Sequence, residues 1–261
     1  MQKLIPPVNE IMGRYKLGIS PSAIARETGC YVRRVRDVIR LNGGLRPMSE
    51  QCSKYTLNRH FFDYIDCEDK AYWFGFLCAD GHVRVARRKN GHVDKRVVLK
   101  LQRQDEPHIF AFRGSIGSGH PVKRDVSTVS SRISINSADL ASGLINNGIL
   151  KYKNGGEWPK IDTNLEHHFI RGLIDGDGWV SLNAHGDIVI GFCSQFKEPV
   201  DRMLEAMGID VSVHWRKGVW RWDKNSIDGC TAIGDYLYSD ATVWLDRKRC
   251  NYNKWLCSLA A

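Results

Sequence analysis

The spacing of apolar positions changes period several times along the chain, and each change marks an element. Val8, Ile11, Met12 and Tyr15 recur at helical spacing. Gly18 stops that helix, and Ser20 with Pro21 supplies an N-cap and a first-turn proline for the next. A second helix is predicted over 21–28, with Ile24 and Ala25 inward, and a third over about 30–41, with Gly29 in the turn between them. Two short helices joined by a glycine turn read as a helix-turn-helix. On the third helix Val32, Val35 and Ile39 form the core stripe. Tyr31, Arg33, Arg34, Arg36 and Arg40 form the outer face. A recognition helix needs such long basic and hydrogen-bonding side chains to meet phosphates and base edges. Asn42-Gly43-Gly44 ends the helix and Leu45-Arg46-Pro47 opens a linker. The first domain is therefore placed at 1–48 and the linker at 49–62.

The remainder repeats itself. Helix-forming residues 68–79 end in Asp80-Gly81; strand-like segments follow at 82–88 and 96–103, then a helical stretch near 105–115, strands near 121–124 and 131–135, and a helix at 138–147. The same order returns from 166: a helix ending in Asp177-Gly178, strands near 179–184 and 187–193, a helix at 197–207, strands near 210–216 and 218–223, and closing segments at 228–239 and 241–257. This predicts two related halves, 63–150 and 166–261, joined by a linker at 151–165. The fold class expected is α+β, with a small all-α domain in front.

Within the strands, His82, Arg84 and Ala86 alternate with Val83 and Val85; Val98, Lys100 and Gln102 with Val97, Leu99 and Leu101; Arg132 and Ser134 with Ile133 and Ile135. Ser181, Asn183 and His185 share a face in the second half, as do Ser212, His214 and Arg216. Period-two alternation puts one apolar face on helices and one polar face outside. Arg, Lys, Gln and Asn are the side chains that read base edges in the major groove.

Charge changes this picture by its location. Residues 1–48 hold nine Lys and Arg against three acids, and residues 82–103, which include Arg88, hold eight against one. The formal charge of the whole is +9, so the rest of the chain is net acidic. Two concentrated basic segments point to phosphate-binding surfaces, and the arginine density of the third helix favours DNA. The eight cysteines contain no C-x-x-C pair and sit among apolar neighbours, which points away from structural zinc and disulfides. The longest apolar run, 71–79, is too short to span a bilayer, and the N-terminus has no secretory apolar core. A soluble, cytoplasmic, monomeric protein without membrane contact is expected.

The chemistry is expected at the two helix ends, WFGFLCADG at 73–81 and IRGLIDGDG at 170–178. Each carries small residues four apart, Gly75 and Ala79 in one and Gly172 and Gly176 in the other, hence on one helix face. Small residues there let two backbones approach closely. An acid follows each second small residue, so docking the helices brings Asp80 and Asp177 together. Adjacent carboxylates repel unless neutralised, and hard oxygen ligands suit magnesium, which activates water and stabilises the leaving oxygen of a phosphodiester.

The two strings, with AYWFGFLCADGHV at 71–83, FIRGLIDGDGWV at 169–180 and LYSDATVWLDRKR at 237–249, resemble the paired motifs of single-chain LAGLIDADG homing endonucleases over roughly 55–255. The resemblance implies two pseudo-symmetric αββαββα halves whose antiparallel sheets form a saddle over DNA. It implies that Asp80 and Asp177 bind metal, with the carbonyls of Ala79 and Gly176 as further ligands. The implied reaction is Mg2+-dependent hydrolysis of both strands across the minor groove, leaving short 3′ overhangs; Mn2+ or Ca2+ would substitute in binding. Gln102 matches a position that organises water beside the metal. Its counterpart is expected at Cys193 or Ser194, which would make the two sites unequal and favour nicking. Lys224, with Asn136 in the first half, is expected near the place of the family's lysine. A site-specific endonuclease of intron-borne or freestanding type is expected. An intein is not, because no splicing Cys opens the chain and no His-Asn closes it. The alternatives are a regulator that binds DNA without cutting and an RNA maturase that holds intron RNA. Retention of both aspartates argues against the first, and the absence of an RNA-type aromatic platform against the second.

Overall fold

A computed structural model describes residues 6–17, 19–45, 54–89, 91 and 93–259. Gly18, Arg46, Pro47 and Cys52 lie outside the described residues. The chain divides into two compact units, Met1–Thr56 and Leu57–Ala261.

The first unit holds α1 (Val8–Lys16), α2 (Pro21–Glu27) and α3 (Val32–Leu41). Ser20 caps α2 by accepting from the Ala23 amide at 3.2 Å, and Pro21 takes the first turn, where a missing N–H costs nothing. Gly29 turns the chain at φ +68°, a left-handed conformation that glycine adopts without strain. Ile11, Tyr15, Ile24, Ala25, Cys30, Val35 and Ile39 form a separate core. Burying one stripe of α3 leaves Arg33, Arg34, Arg36 and Arg40 exposed on the other side.

The second unit is built around α4 (Glu68–Ala79) and α8 (Thr163–Asp177). In α4 every residue from Ala71 to Cys78 is buried, so it is a central helix rather than an amphipathic surface one. After α4 come β1 (Gly81–Arg87), β2 (Val93–Gln102), α5 (Glu106–Ser115), β3 (Lys123–Asp125), β4 (Ser130–Asn136), α6 (Ala138–Asn146) and α7 (Ile149–Gly155). After α8 come β5 (Trp179–Leu182), β6 (Ile188–Ser194), α9 (Lys197–Met207), β7 (His214–Arg216), β8 (Val219–Lys224), α10 (Ile227–Tyr238) and α11 (Asp246–Leu259). The two antiparallel sheets have matching orders, β1-β2-β4-β3 and β5-β6-β8-β7. Matching order, element for element, is the pseudo-symmetry of an α+β fold with two αββαββα halves. Helix α7 occupies part of the stretch expected as a linker.

Val97, Leu99, Ile133 and Ile135 face one way in the first sheet, and Val180, Ile190, Phe192 and Trp222 in the second. All are buried under the helices, which leaves the alternate positions on the outer face of each sheet. No helix among the described residues is long and apolar enough to cross a membrane.

Candidate active site

Glycines set the depth at which α4 and α8 meet. A Cβ on Gly75 would strike the carbonyl oxygen of Phe169, one on Gly172 the carbonyl of Tyr72, and one on Gly176 the methyl of Ala79. The two backbones therefore touch along one line, and both helices end at the same place. Asp80 is the C-cap of α4 and Asp177 the last residue of α8. The negative ends of two helix dipoles and two carboxylates thus meet, a point that calls for positive charge.

That strain shows in the acids. Surrounding protein, and then the charge of Asp177, push Asp80 up to about 6. Asp177 is likewise raised by desolvation, against the pull of Lys153 and Lys248. Both carboxylates still reach solvent at the rim of the site. Beside them an open cavity of about 420 Å³ is lined by Ala79, Lys153, Asp177, Cys193 and Gln195.

Two lysines supply the positive charge, one from the closing helix of each half. Lys153, on α7, donates to the Ala79 carbonyl at 2.7 Å; burial lowers its pKa while Asp177 and Asp80 draw it back. Lys248, on α11, is buried and donates to the carbonyls of Ile174 at 2.6 Å, Asp175 at 2.8 Å and Gly178 at 2.5 Å. Burial pulls it down to about 8, with Asp175 opposing most strongly. Asp175 accepts from the Tyr72 hydroxyl at 2.9 Å and the Leu245 amide at 2.8 Å. Asp105 adds a further acid whose charge raises Asp80, and it is itself gripped by Arg247 at 3.2 Å. None of Lys153, Lys248 or Asp105 stands out in the sequence, although Lys248 lies inside the string LYSDATVWLDRKR.

Lys224 is not at this centre. It follows Trp222 by two on β8 and pairs with buried Ile190, so alternation turns it toward the helices. There its stem packs where a Gly229 side chain would lie, and its ammonium donates to the Asp210 carbonyl at 3.1 Å.

Strand register also corrects the counterpart of Gln102. His82 pairs with Val98, and Trp179, its equivalent after the second Asp-Gly, pairs with Gly191. Lys100 pairs with Arg132, and Cys193 with Arg221. Counting two residues on from Lys100 and Cys193 gives Gln102 and Gln195. The second half therefore carries a glutamine too, rather than Cys193 or Ser194, and Gln195 lines the cavity beside Asp177. The basis for expecting unequal centres at this position is removed.

On the outer face of the first sheet His82, Arg84, Lys100, Gln102 and Arg132 are exposed. Arg88 lies beyond β1 and is ion-paired with Asp94. On the second sheet Ser181, His214 and Arg216 are exposed. Asn183 and His185 lie past the end of β5, in the turn to β6. The Asn183 side chain is spent on that turn: it accepts from the amides of His185 at 2.8 Å and Asp187 at 2.9 Å, and donates to the Asp187 carboxylate.

The two lysines offset the negative charge at the helix ends only in part, and as hard oxygen donors Asp80 and Asp177 suit a divalent cation. Among the described residues, one other group could be considered for metal, His167, His168 and Asp240. His168 Nδ1 faces an Arg171 donor at 2.9 Å, which fixes its proton on Nε2, the nitrogen turned toward Asp240. A ligand nitrogen needs that lone pair free, so the cluster is a hydrogen-bond network. Arg171, fully buried, ties it across the helix pair to Glu68 at 2.5 Å.

No family model matches the sequence, and no curated protein matches it. Solved structures do. The LAGLIDADG homing endonuclease I-LtrWI bound to target DNA is 12% identical, with TM-score 0.52 over 78% of this chain and 91% of that one. The meganuclease I-SmaMI bound to uncleavable DNA is 11% identical, with TM-score 0.52 over 72% and 89%. The LAGLIDADG meganuclease I-AabMI bound to uncleaved DNA is 9% identical, with TM-score 0.51 over 72% and 89%. The chain therefore has the two-half saddle fold of the LAGLIDADG endonucleases.

Proposed function

We propose that the second unit is a magnesium-dependent DNA endonuclease that hydrolyses one phosphodiester in each strand, and that the first unit is an accessory DNA-binding module. The observation that carries this reading is the convergence of Asp80 and Asp177 at the end of the glycine-packed helix pair, between two sheets with polar outer faces. A binding protein has no use for two mutually repelling acids at that place.

The carboxylates of Asp80 and Asp177 would hold the metal, with the Ala79 and Gly176 carbonyls as the further ligands that the family resemblance implies. A magnesium ion held there would supply an activated water and neutralise charge on the leaving oxygen. The chain's own groups do the rest. Lys153 and Lys248 set positive charge beside the phosphate as its negative charge develops. Lys153 donates to the Ala79 carbonyl, and its flexible four-carbon stem lets the ammonium swing from there toward the phosphate. Gln102 and Gln195, at equivalent strand ends, order water for the two cuts. The sheets fix the duplex through Arg84, Lys100, Arg132 and Arg216, and Arg33, Arg34, Arg36 and Arg40 of the first unit take further phosphates or bases.

The test is magnesium-dependent cleavage of a randomised duplex library by the full chain and by Asp80→Asn with Asp177→Asn. Defined double-strand breaks that vanish in the double variant are expected. Enrichment of bound sequences without any cuts by the wild-type chain would overturn the nuclease in favour of a DNA-binding regulator.

A further inference from the structure

The outer face of the second sheet carries a group of side chains that the first lacks. Trp179 on β5 lies opposite Gly191 on β6, which on its other side lies opposite Asp223 on β8. In the next row Arg221 stands between Cys193 and His214. These residues alternate with buried Val180, Ile190, Phe192 and Trp222, so all of them sit on the face turned away from the helices.

A Cβ at Gly191 would run into the Trp179 ring, so the glycine is what lets the indole lie down on the sheet. The Arg221 guanidinium stacks over that indole, 4.8 Å from its centroid, and donates through Nη2 to Asp223 Oδ1 at 3.0 Å. Stack and ion pair together hold the fork in one orientation while its side chain stays 34% exposed. The counterparts in the first half are His82 for Trp179, Val98 for Gly191, Arg132 for Arg221 and Ser134 for Asp223. Arg132 therefore has neither indole nor carboxylate at these positions.

We infer that Trp179, Arg221 and Asp223 form a preorganised guanine reader for the half of the DNA target under the second sheet, an inference that rests on the DNA binding of the proposed function. Guanine offers O6 and N7 in the major groove to a bidentate guanidinium. Of the five N–H donors on Arg221 the carboxylate engages one, which leaves an edge for the base. A guanidinium already fixed loses little freedom on binding, so the gain appears as discrimination between bases. A carboxylate beside it also disfavours a phosphate, which biases Arg221 toward the base edge. Trp179 follows Asp177 by two residues, so the reader belongs to base pairs close to the cut.

The test selects targets from randomised duplexes with the full chain in calcium, so that binding is read without cleavage. Wild type is expected to require guanine at one position near the centre. Arg221→Lys keeps the charge and loses the fork; it should lower guanine discrimination there about tenfold and leave other positions unchanged. Asp223→Ala and Gly191→Ala should relax the same position to a smaller extent. An unchanged preference in Arg221→Lys, or a uniform loss of affinity over all sequences, would overturn the reader. Magnesium is then added to the selected target: absence of cleavage with the guanine requirement intact refutes the nuclease and leaves the reader standing.

Discussion

At the scale of single side chains the acid centre is a charge balance, with two carboxylates at the negative ends of two helices facing two ammonium groups. The balance is incomplete at Asp80. A carboxyl whose pKa rises on folding costs native stability as pH climbs from 3.8 toward about 6, because the unfolded chain gives up its proton first. At neutral pH that cost is fully present. Asp80→Asn should thus raise the melting temperature of the metal-free chain by roughly 2–4 °C, about 1 kcal/mol after allowance for the solvent that reaches this group. Chelator-treated protein melted at pH 7.5 gives the answer, and an unchanged or lower value refutes the imbalance. The two lysines differ in what holds them. Lys248 is locked by three carbonyls and drawn by the charge of Asp175, whereas Lys153 is held by Ala79 and has Cys78 where α8 has Asp175. Lys153→Met should slow cleavage on the order of 100-fold at unchanged DNA affinity, while Lys224→Met should leave the rate alone.

Elements are legible in the sequence wherever a long period runs without interruption. α4, α8 and their paired acids announce themselves by small residues four apart, and β1, β2 and β4 by strict alternation. α7 does not, since seven residues between Gly148 and Gly156 give too short a window for helical periodicity. Lys153 goes unseen with it. The register of β6 is equally hidden, because a strand's sequence does not say which partner residue it faces, and an offset of one or two positions is enough to conceal Gln195. The helix pair itself bears a direct test. Gly75→Val drives two methyl groups into the Phe169 backbone and should cost about 3 kcal/mol in urea unfolding, against well under 1 for the same change at exposed Gly114 after its helix propensity is discounted. Equal costs at the two sites would mean that α4 and α8 do not pack through this seam.

For the molecule as a whole, two buried histidines make acid the weak side. Desolvation lowers His108 to about 3 and His168 to about 4. The unfolded chain takes up these protons near 6.5, so stability should fall as pH drops below that value and continue to fall toward 4. The raised acids act in the opposite sense. The slope is therefore best read in Asp80→Asn, where His108→Gln should flatten it; an unaltered slope would show that His108 titrates normally in the native state. The first unit, with its own core, presents an exposed arginine face. Arg33→Ala with Arg36→Ala should lower DNA affinity and reduce the slope of log affinity against log salt by about one for each phosphate no longer neutralised, at an unaltered cleavage rate on saturated DNA. A slope that does not move would remove those arginines from the DNA interface.

The seam where Gly176 meets Ala79 has a consequence beyond stability. The gap between Asp80 and Asp177 is dictated by how closely two backbones can lie, whereas on the proposed reading the letters of the target are dictated by side chains on the sheets. Address and ruler are thus written in separate parts of the chain. On the proposed endonuclease reading, rewriting the sheets would redirect cleavage to other sequences while every product kept the same stagger between its broken ends.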